Sequence, residues 1–206
     1  SGRMKNMLCA MVPSLAVAVH LVTPQSADGR LHITMLSVGQ AESILLRFPE
    51  GSTMLVDGGG YLFDTGRDFG ERILAPALFR MGVRRIDYML MTHSHPDHNG
   101  GLPHVAGMLP VGEFWEPVPG GNGELYNQVR RALAAHRTPR RLLAAGDVIK
   151  LPGGVSLKVF SPPGNIGSLS FGLKAPGATS KNKLCAAQVG NVPSTKTINN
   201  ASIFTT

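Results

Sequence analysis

Ten residues constrain this chain more than any others: Thr92-His93-Ser94-His95-Pro96-Asp97-His98-Asn99-Gly100-Gly101. They follow directly on an apolar run, Ile86 to Met91, whose length suits a buried strand. Side chains at i and i+2 of an extended segment share a side, so His93 and His95 point the same way. Asp97 and His98 come one step later, where Gly100-Gly101 lets the chain turn. Neutral imidazole nitrogens and a carboxylate oxygen brought into one small space suit Zn²⁺ or a similar divalent ion. A chain built this way must fold so that a strand delivers the loop to an accessible edge.

The remainder is long enough to do that once. At 206 residues it suits one ordinary domain and is short for two. Hydrophobic content of 43% against 16% charged residues supports a packed core and excludes global disorder. The net charge of +7 favours polyanionic or anionic-membrane partners. Cys9 and Cys185 lie at opposite ends, so neither a disulfide framework nor a sulfur-rich metal site is indicated.

The chain divides into three stretches. In the first, residues 1–29, Arg3 and Lys5 precede an almost wholly apolar run from Met7 to Val22. It is shorter than the roughly 20 residues of a membrane-crossing helix. A signal-like segment, the last part of a membrane anchor and a buried core helix are the readings open to it. The second stretch, residues 30–164, alternates as short strands at Leu31–Val38, Ser43–Phe48 and Thr53–Asp57, read as an antiparallel sheet. Asp57 closes the third strand and is followed by Gly58-Gly59-Gly60, where backbone can approach closely.

Helical spacing covers Gly70 to Met81, with Pro76 requiring a start near Ala75 or a kink. A short helix is expected over Leu102–Leu109, a strand over Val111–Trp115 and an amphipathic helix over Glu124–Arg137. The other side and exit of that helix carry Arg130, Arg131, Arg137, Arg140 and Arg141, a surface able to follow a DNA backbone. A solvated helix face is an equally open reading of them. Strands at Val148–Leu151 and Val155–Phe160 complete the stretch. In the third, residues 165–206, acidic residues are absent and all basic residues are lysine. Most of it reads as loop, with a strand starting near Asn199.

The loop resembles the signature of the metallo-β-lactamase superfamily. More of the chain resembles one branch, the extracytoplasmic domain of the ComEC competence proteins, which take DNA across the bacterial inner membrane. The residues that carry this resemblance are Val38-Gly39-Gln40, Ser43 to Pro49, Met54 to Gly60, Gly70-Glu71-Arg72 and Arg84 to Asp87. They continue through the histidine loop and Gly146-Asp147 to Ser161-Pro162-Pro163. The apolar segment before the domain also looks like that family's last membrane helix. The resemblance implies an α/β fold, layered as an αββα sandwich with metal at one edge of its paired sheets. It implies that His93 and His95 serve one ion, that Asp97 and His98 serve the second, and that Asp57 supports the loop from beneath.

It further implies two Zn²⁺ ions, with Mn²⁺ as the alternative, and hydrolysis of nucleic-acid phosphodiesters with Asp97 orienting the nucleophile. DNA is then the expected partner, and an inner-membrane-associated, extracytoplasmic domain the expected location. Oligomeric state is left open. Two departures bear on this. The family's Gly-Gln-Gly-Asp stands here as Gly39-Gln40-Ala41-Glu42. The family's Asn-Asn-x-Ser strand is matched by Asn199-Asn200-Ala201-Ser202, but its later Gly-Asp and His-His are not in this sequence. The second half of the sandwich is therefore expected to be incomplete and each ion short of ligands. Against the ComEC-type nuclease stand a hydrolase of thioester, lactam or RNA on the same fold, and a truncated, non-catalytic metal- or DNA-binding domain.

Overall fold

Strand-forming sequence comes in pairs of short apolar runs, and the computed structural model arranges them as two sheets. It describes residues 27–37, 41–61, 67–161, 169–176, 183–186 and 202–205. The apolar run Met7 to Val22 lies outside the described residues, as do Val38-Gly39-Gln40. The first sheet contains β1 (His32–Met35), β2 (Ile44–Arg47), β3 (Thr53–Val56), β4 (Ile86–Leu90), β5 (Val111–Pro117) and β6 (Arg140–Leu143), in that spatial order. β1 to β3 pair antiparallel, as their spacing indicates, whereas β3 to β6 pair parallel. The change of direction at β3 follows from its connection: the chain between β3 and β4 is long enough to return over one face, which parallel pairing requires.

That return carries a π-helical turn, Gly70–Leu74, running into α1 (Ala75–Arg80). The Ala75 amide donates to Gly70 O, five residues back, and Pro76 then occupies the start of the α-helix. Proline has no amide hydrogen to give, so the regular ladder cannot run through it and the wide turn precedes it. α2 (Pro96–Asn99) and α3 (Leu102–Met108) follow β4, and α4 (Glu124–Ala135) follows β5. Leu74, Leu78, Leu102, Val105, Val129 and Leu133 from these helices pack on Leu45, Leu55, Met89 and Phe114 of the first sheet.

The opposite face of that sheet is covered by a second sheet. It comprises β7 (Val148–Lys150), β8 (Ser156–Ser161), β9 (Ser170–Lys174), β10 (Lys183–Ala186) and β11 (Ser202–Thr205), in the order β10-β11-β9-β8-β7. Leu157, Val159, Phe171 and Leu173 face inward against Leu46, Met54, Val56 and Trp115. The layers are helix, sheet, sheet. Among the described residues no α-helix lies on the outer face of the second sheet.

The structure differs from the sequence reading at β6 and in the stretch after residue 164, where β9 and β10 are strands. Arg140 and Arg141 stand on β6, an edge strand, and not on the exit of the preceding helix. Ser170–Lys174 is a strand although it lies in the stretch read mostly as loop, because Phe171 and Leu173 alternate into the core between the sheets. The fold thus continues past residue 164.

Candidate metal centre

The loop from Thr92 to Gly101 leaves the C-terminal end of β4 in the middle of the parallel part of the sheet. Its position is fixed largely by Asp57, which ends β3 next door. Asp57 is 1% exposed and sits at φ 56°, in the left-handed region that aspartate enters more readily than most residues. One carboxylate oxygen, Oδ1, accepts from the Thr92 amide at 2.7 Å. The other, Oδ2, accepts from the Thr92 hydroxyl at 2.6 Å and lies 2.8 Å from His98 Nδ1. The Asp57 amide donates to Leu90 O and its carbonyl accepts from the Ser43 hydroxyl.

These bonds settle ring tautomers. A carboxylate only accepts, so His98 carries its proton on Nδ1 and leaves the Nε2 lone pair free. Thr92 spends its only hydroxyl hydrogen on Asp57, so it can only accept from His93 Nδ1, 3.1 Å away. His93 Nε2 is therefore a lone-pair donor as well. His98 Nε2 lies 3.6 Å from Asp97 Oδ2, and donor atoms of His93, Asp97 and His98 fall within 4.8 Å of one another. Burial, reinforced by the neighbouring His98, lowers the His93 pKa from 6.5 to about 4, so the ring is neutral and ligand-ready at physiological pH. For His98, burial lowers the pKa, but the Asp57 hydrogen bond and the charges of Asp57, Asp97 and Glu42 outweigh it and raise the value. A proton competes for His98 more strongly than for His93.

Glycines let the supporting loop come this close. Gly60 touches the α2 turn so tightly that a Cβ there would lie 1.8 Å from Pro96 O. The backbone completes the joint: Gly101 N donates to Gly59 O at 3.0 Å and Gly59 N to Glu42 O at 2.8 Å. Asn99, fully buried, donates from Nδ2 to Ser94 O at 3.0 Å and ties the two ends of the loop together.

Of the residues singled out in the sequence, His93, Asp97 and His98 form the tight donor group, with Asp57 against His98 beneath them. That group takes His93 from the first expected pair and both members, Asp97 and His98, of the second. The exposed His95 has its ring centre 4.7 Å from that of His93 but does not join the group. Glu42 was noted only as a departure from a family pattern, yet it shares a second donor group with Asp57 and His98, its Oε2 lying 3.9 Å from His98 Nδ1. Burial, with Asp57 and Asp97 adding and His98 opposing, raises its pKa. The available sign was a carboxylate placed shortly before β2.

The arginine surface is less basic than its composition. Arg131 pairs with Glu124 at 2.6 Å and Arg141 with Glu113 at 3.1 Å, while the Arg140 guanidinium pairs with Glu116, which is fully buried. Glu116 also accepts from Tyr126 Oη and from the Gly121 amide. Among the described residues only Arg130 and Arg137 of the five form no ion pair.

A family model, the metallo-beta-lactamase superfamily, matches residues 37–166. This chain belongs to the metallo-β-lactamase superfamily. A solved metallo-β-lactamase from Cronobacter sakazakii, a HARLDQ motif mutant, superposes with a TM-score of 0.50 at 18% identity, covering 69% of this chain and 56% of that one. At that identity the likeness shows the fold. The chain is 31% identical over 99 residues to competence protein ComA of Neisseria gonorrhoeae, covering 48% of this chain and 12% of that protein. It is 28% identical over 85 residues to ComE operon protein 3 of Bacillus subtilis (strain 168), covering 36% of this chain and 11% of that protein. The chain thus spans only about a tenth of the length of these relatives. The donor set fits a divalent metal ion: two imidazoles with free Nε2 atoms and one carboxylate, each imidazole oriented from behind. No helix among the described residues is long and apolar enough to cross a membrane.

Proposed function

We propose that this chain is a metal-dependent hydrolase domain that cleaves phosphodiester bonds of nucleic acid during DNA uptake, outside the cytoplasmic face of the inner membrane. The observation that carries the reading is the convergence of His93, Asp97 and His98 with both histidine tautomers fixed from behind by Thr92 and Asp57. The likeness to a protein named for competence supports nucleic acid as the substrate class. His93 and His98 would hold the metal through Nε2 and Asp97 through its carboxylate, with exposed His95 and half-exposed Glu42 beside them. Zn²⁺ is the first choice for this nitrogen-rich set and Mn²⁺ the second. When bound, such ions supply Lewis acidity toward a phosphoryl oxygen and lower the pKa of a water.

The protein's own part is mostly orientation. Asp57 and Thr92 keep protons on the Nδ1 atoms, so neither ring can rotate its free nitrogen away without losing a partly buried hydrogen bond. The Asp97 carboxylate, partly exposed at the start of α2, accepts the proton of an attacking water and aligns it. The test is hydrolysis by the purified chain with Zn²⁺ or Mn²⁺ on single- and double-stranded DNA, RNA, a thioester and a β-lactam in parallel. DNA cleavage abolished by EDTA and by His98→Ala is the expected result. Preference for a thioester or lactam would transfer the chain to another branch of the superfamily. No turnover of any substrate would leave it as a binding domain.

A further inference from the structure

Three carboxylates surround one imidazole where β3 and β4 end. Asp57 Oδ2 lies 2.8 Å and Glu42 Oε2 3.9 Å from His98 Nδ1, while Asp97 Oδ2 lies 3.6 Å from its Nε2. Among the described residues no lysine or arginine pairs with any of the three. A single imidazole offsets at most one of those negative charges, and like charges this close disfavour one another. The surplus calls for a cation, and the two free imidazole nitrogens beside it independently point to a metal ion.

The three acids are not equivalent. Asp57 is 1% exposed and both its oxygens are taken, Oδ1 by the Thr92 amide, Oδ2 by the Thr92 hydroxyl and His98. It cannot serve an ion without releasing the loop. Asp97 already belongs to the tight donor group with His93 and His98. Glu42 is the carboxylate left over. Among the described residues it pairs with nothing but His98, and its side chain is 52% exposed, so it is free to turn.

Its backbone is not free. Glu42 N donates to Asp97 O at 3.3 Å, and Glu42 O accepts from Gly59 N at 2.8 Å. The next residue, Ser43, is buried and donates its hydroxyl to Asp57 O. The segment entering β2 thus fixes the root of this side chain against the loop that carries the other donors. Glutamate has three rotatable bonds beyond that root. A short swing takes its carboxylate from the Nδ1 edge of the His98 ring to the Nε2 edge.

We propose that Glu42 is a further ligand of the metal centre, its carboxylate turning from His98 Nδ1 to the ion that His93, Asp97 and His98 hold. The proposal rests on the metal-centre reading and not on the choice of substrate. A second carboxylate adds a hard oxygen donor to a nitrogen-rich set, which widens the centre's choice from Zn²⁺ toward Mn²⁺.

Metal binding without turnover tests it. The full chain is titrated with Co²⁺, whose visible absorption reports the ligands around it, and Zn²⁺ affinity is read by chelator competition. In Glu42→Gln the Zn²⁺ affinity should fall by about 10-fold or more, and the Co²⁺ bands should shift or change intensity. Glu42→Asp, which keeps an acidic oxygen on the same root, should recover part of the affinity. Both variants alter a half-exposed side chain, so near-wild-type circular dichroism is expected. Lower affinity with an unaltered Co²⁺ spectrum overturns the proposal, because a charge outside the coordination shell weakens binding without changing the bands. Unchanged affinity and spectrum overturn it as well. A wild-type chain that binds no Co²⁺ would remove the metal centre and this ligand together. Both changes in Glu42→Gln, in a chain that cleaves nothing, would sustain the ligand and remove the hydrolase.

Discussion

Asp57 combines three tasks in one side chain. It holds the Thr92 amide and hydroxyl with its two oxygens, presents an acceptor to His98, and does so from a backbone φ of 56°. A left-handed non-glycine residue costs roughly 1–2 kcal/mol, so the position is worth holding only because the surrounding hydrogen bonds over-determine it. Asparagine enters the same backbone region readily. Asp57→Asn should therefore fold, but with Oδ1 still facing the Thr92 amide its NH₂ group would replace the acceptor at His98. The ring must then accept at Nδ1, which puts its proton on Nε2 and blocks the metal-binding nitrogen. The expected loss of Zn²⁺ affinity is about 10- to 100-fold, read by chelator competition, with near-wild-type circular dichroism. Unchanged affinity would show that Asp57 does not set the tautomer.

At the scale of elements, the joint between the Gly58–Gly60 loop and the turn of α2 decides whether the donors converge. Gly60→Ala would place a methyl group 1.8 Å from Pro96 O and 2.9 Å from its carbonyl carbon, both backbone atoms that cannot swing aside. We expect about 1–3 kcal/mol of destabilisation in urea and a clear loss of metal affinity as α2 is pushed outward. Retained stability and affinity together would mean that the joint yields at no cost.

Elements differed in how legible they were. β3 and β4 are near-continuous apolar runs because both faces of the first sheet are covered, and such runs are plain in sequence. α4 shows its apolar stripe through Val129 and Leu133. β6 was hidden because Arg140 and Arg141 look like a helix exit; an edge strand needs only one covered face, and here Leu143 alone is buried. β9 was hidden because two alternating apolar residues, Phe171 and Leu173, make too short a pattern to stand out between glycines and serines. Only the opposing sheet gives them meaning. The donor loop was readable from ligand spacing, whereas Glu42 is brought to it by the fold and has no local pattern around it.

For the whole molecule, the two sheets share one core, with Trp115 and Phe171 in the same buried cluster. Phe171→Ala should cost about 3–5 kcal/mol, in line with deletion of a large buried ring. Trp115 is the sole tryptophan, so its fluorescence reports the transition directly. A cost under about 1 kcal/mol would mean that the second sheet unfolds apart from the first.

The reach of Asp57 also bears on the order of assembly. His93, Asp97 and His98 are near neighbours in sequence and can grip an ion while much of the chain is still unfolded. Their stiffening from behind comes from a residue 35 positions earlier than Thr92, delivered only when β3 pairs with β4. Such long-range contacts form late relative to local ones. An ion captured early is held loosely and tightens at the moment the sheet closes, so metal binding and chain collapse should pull in the same direction.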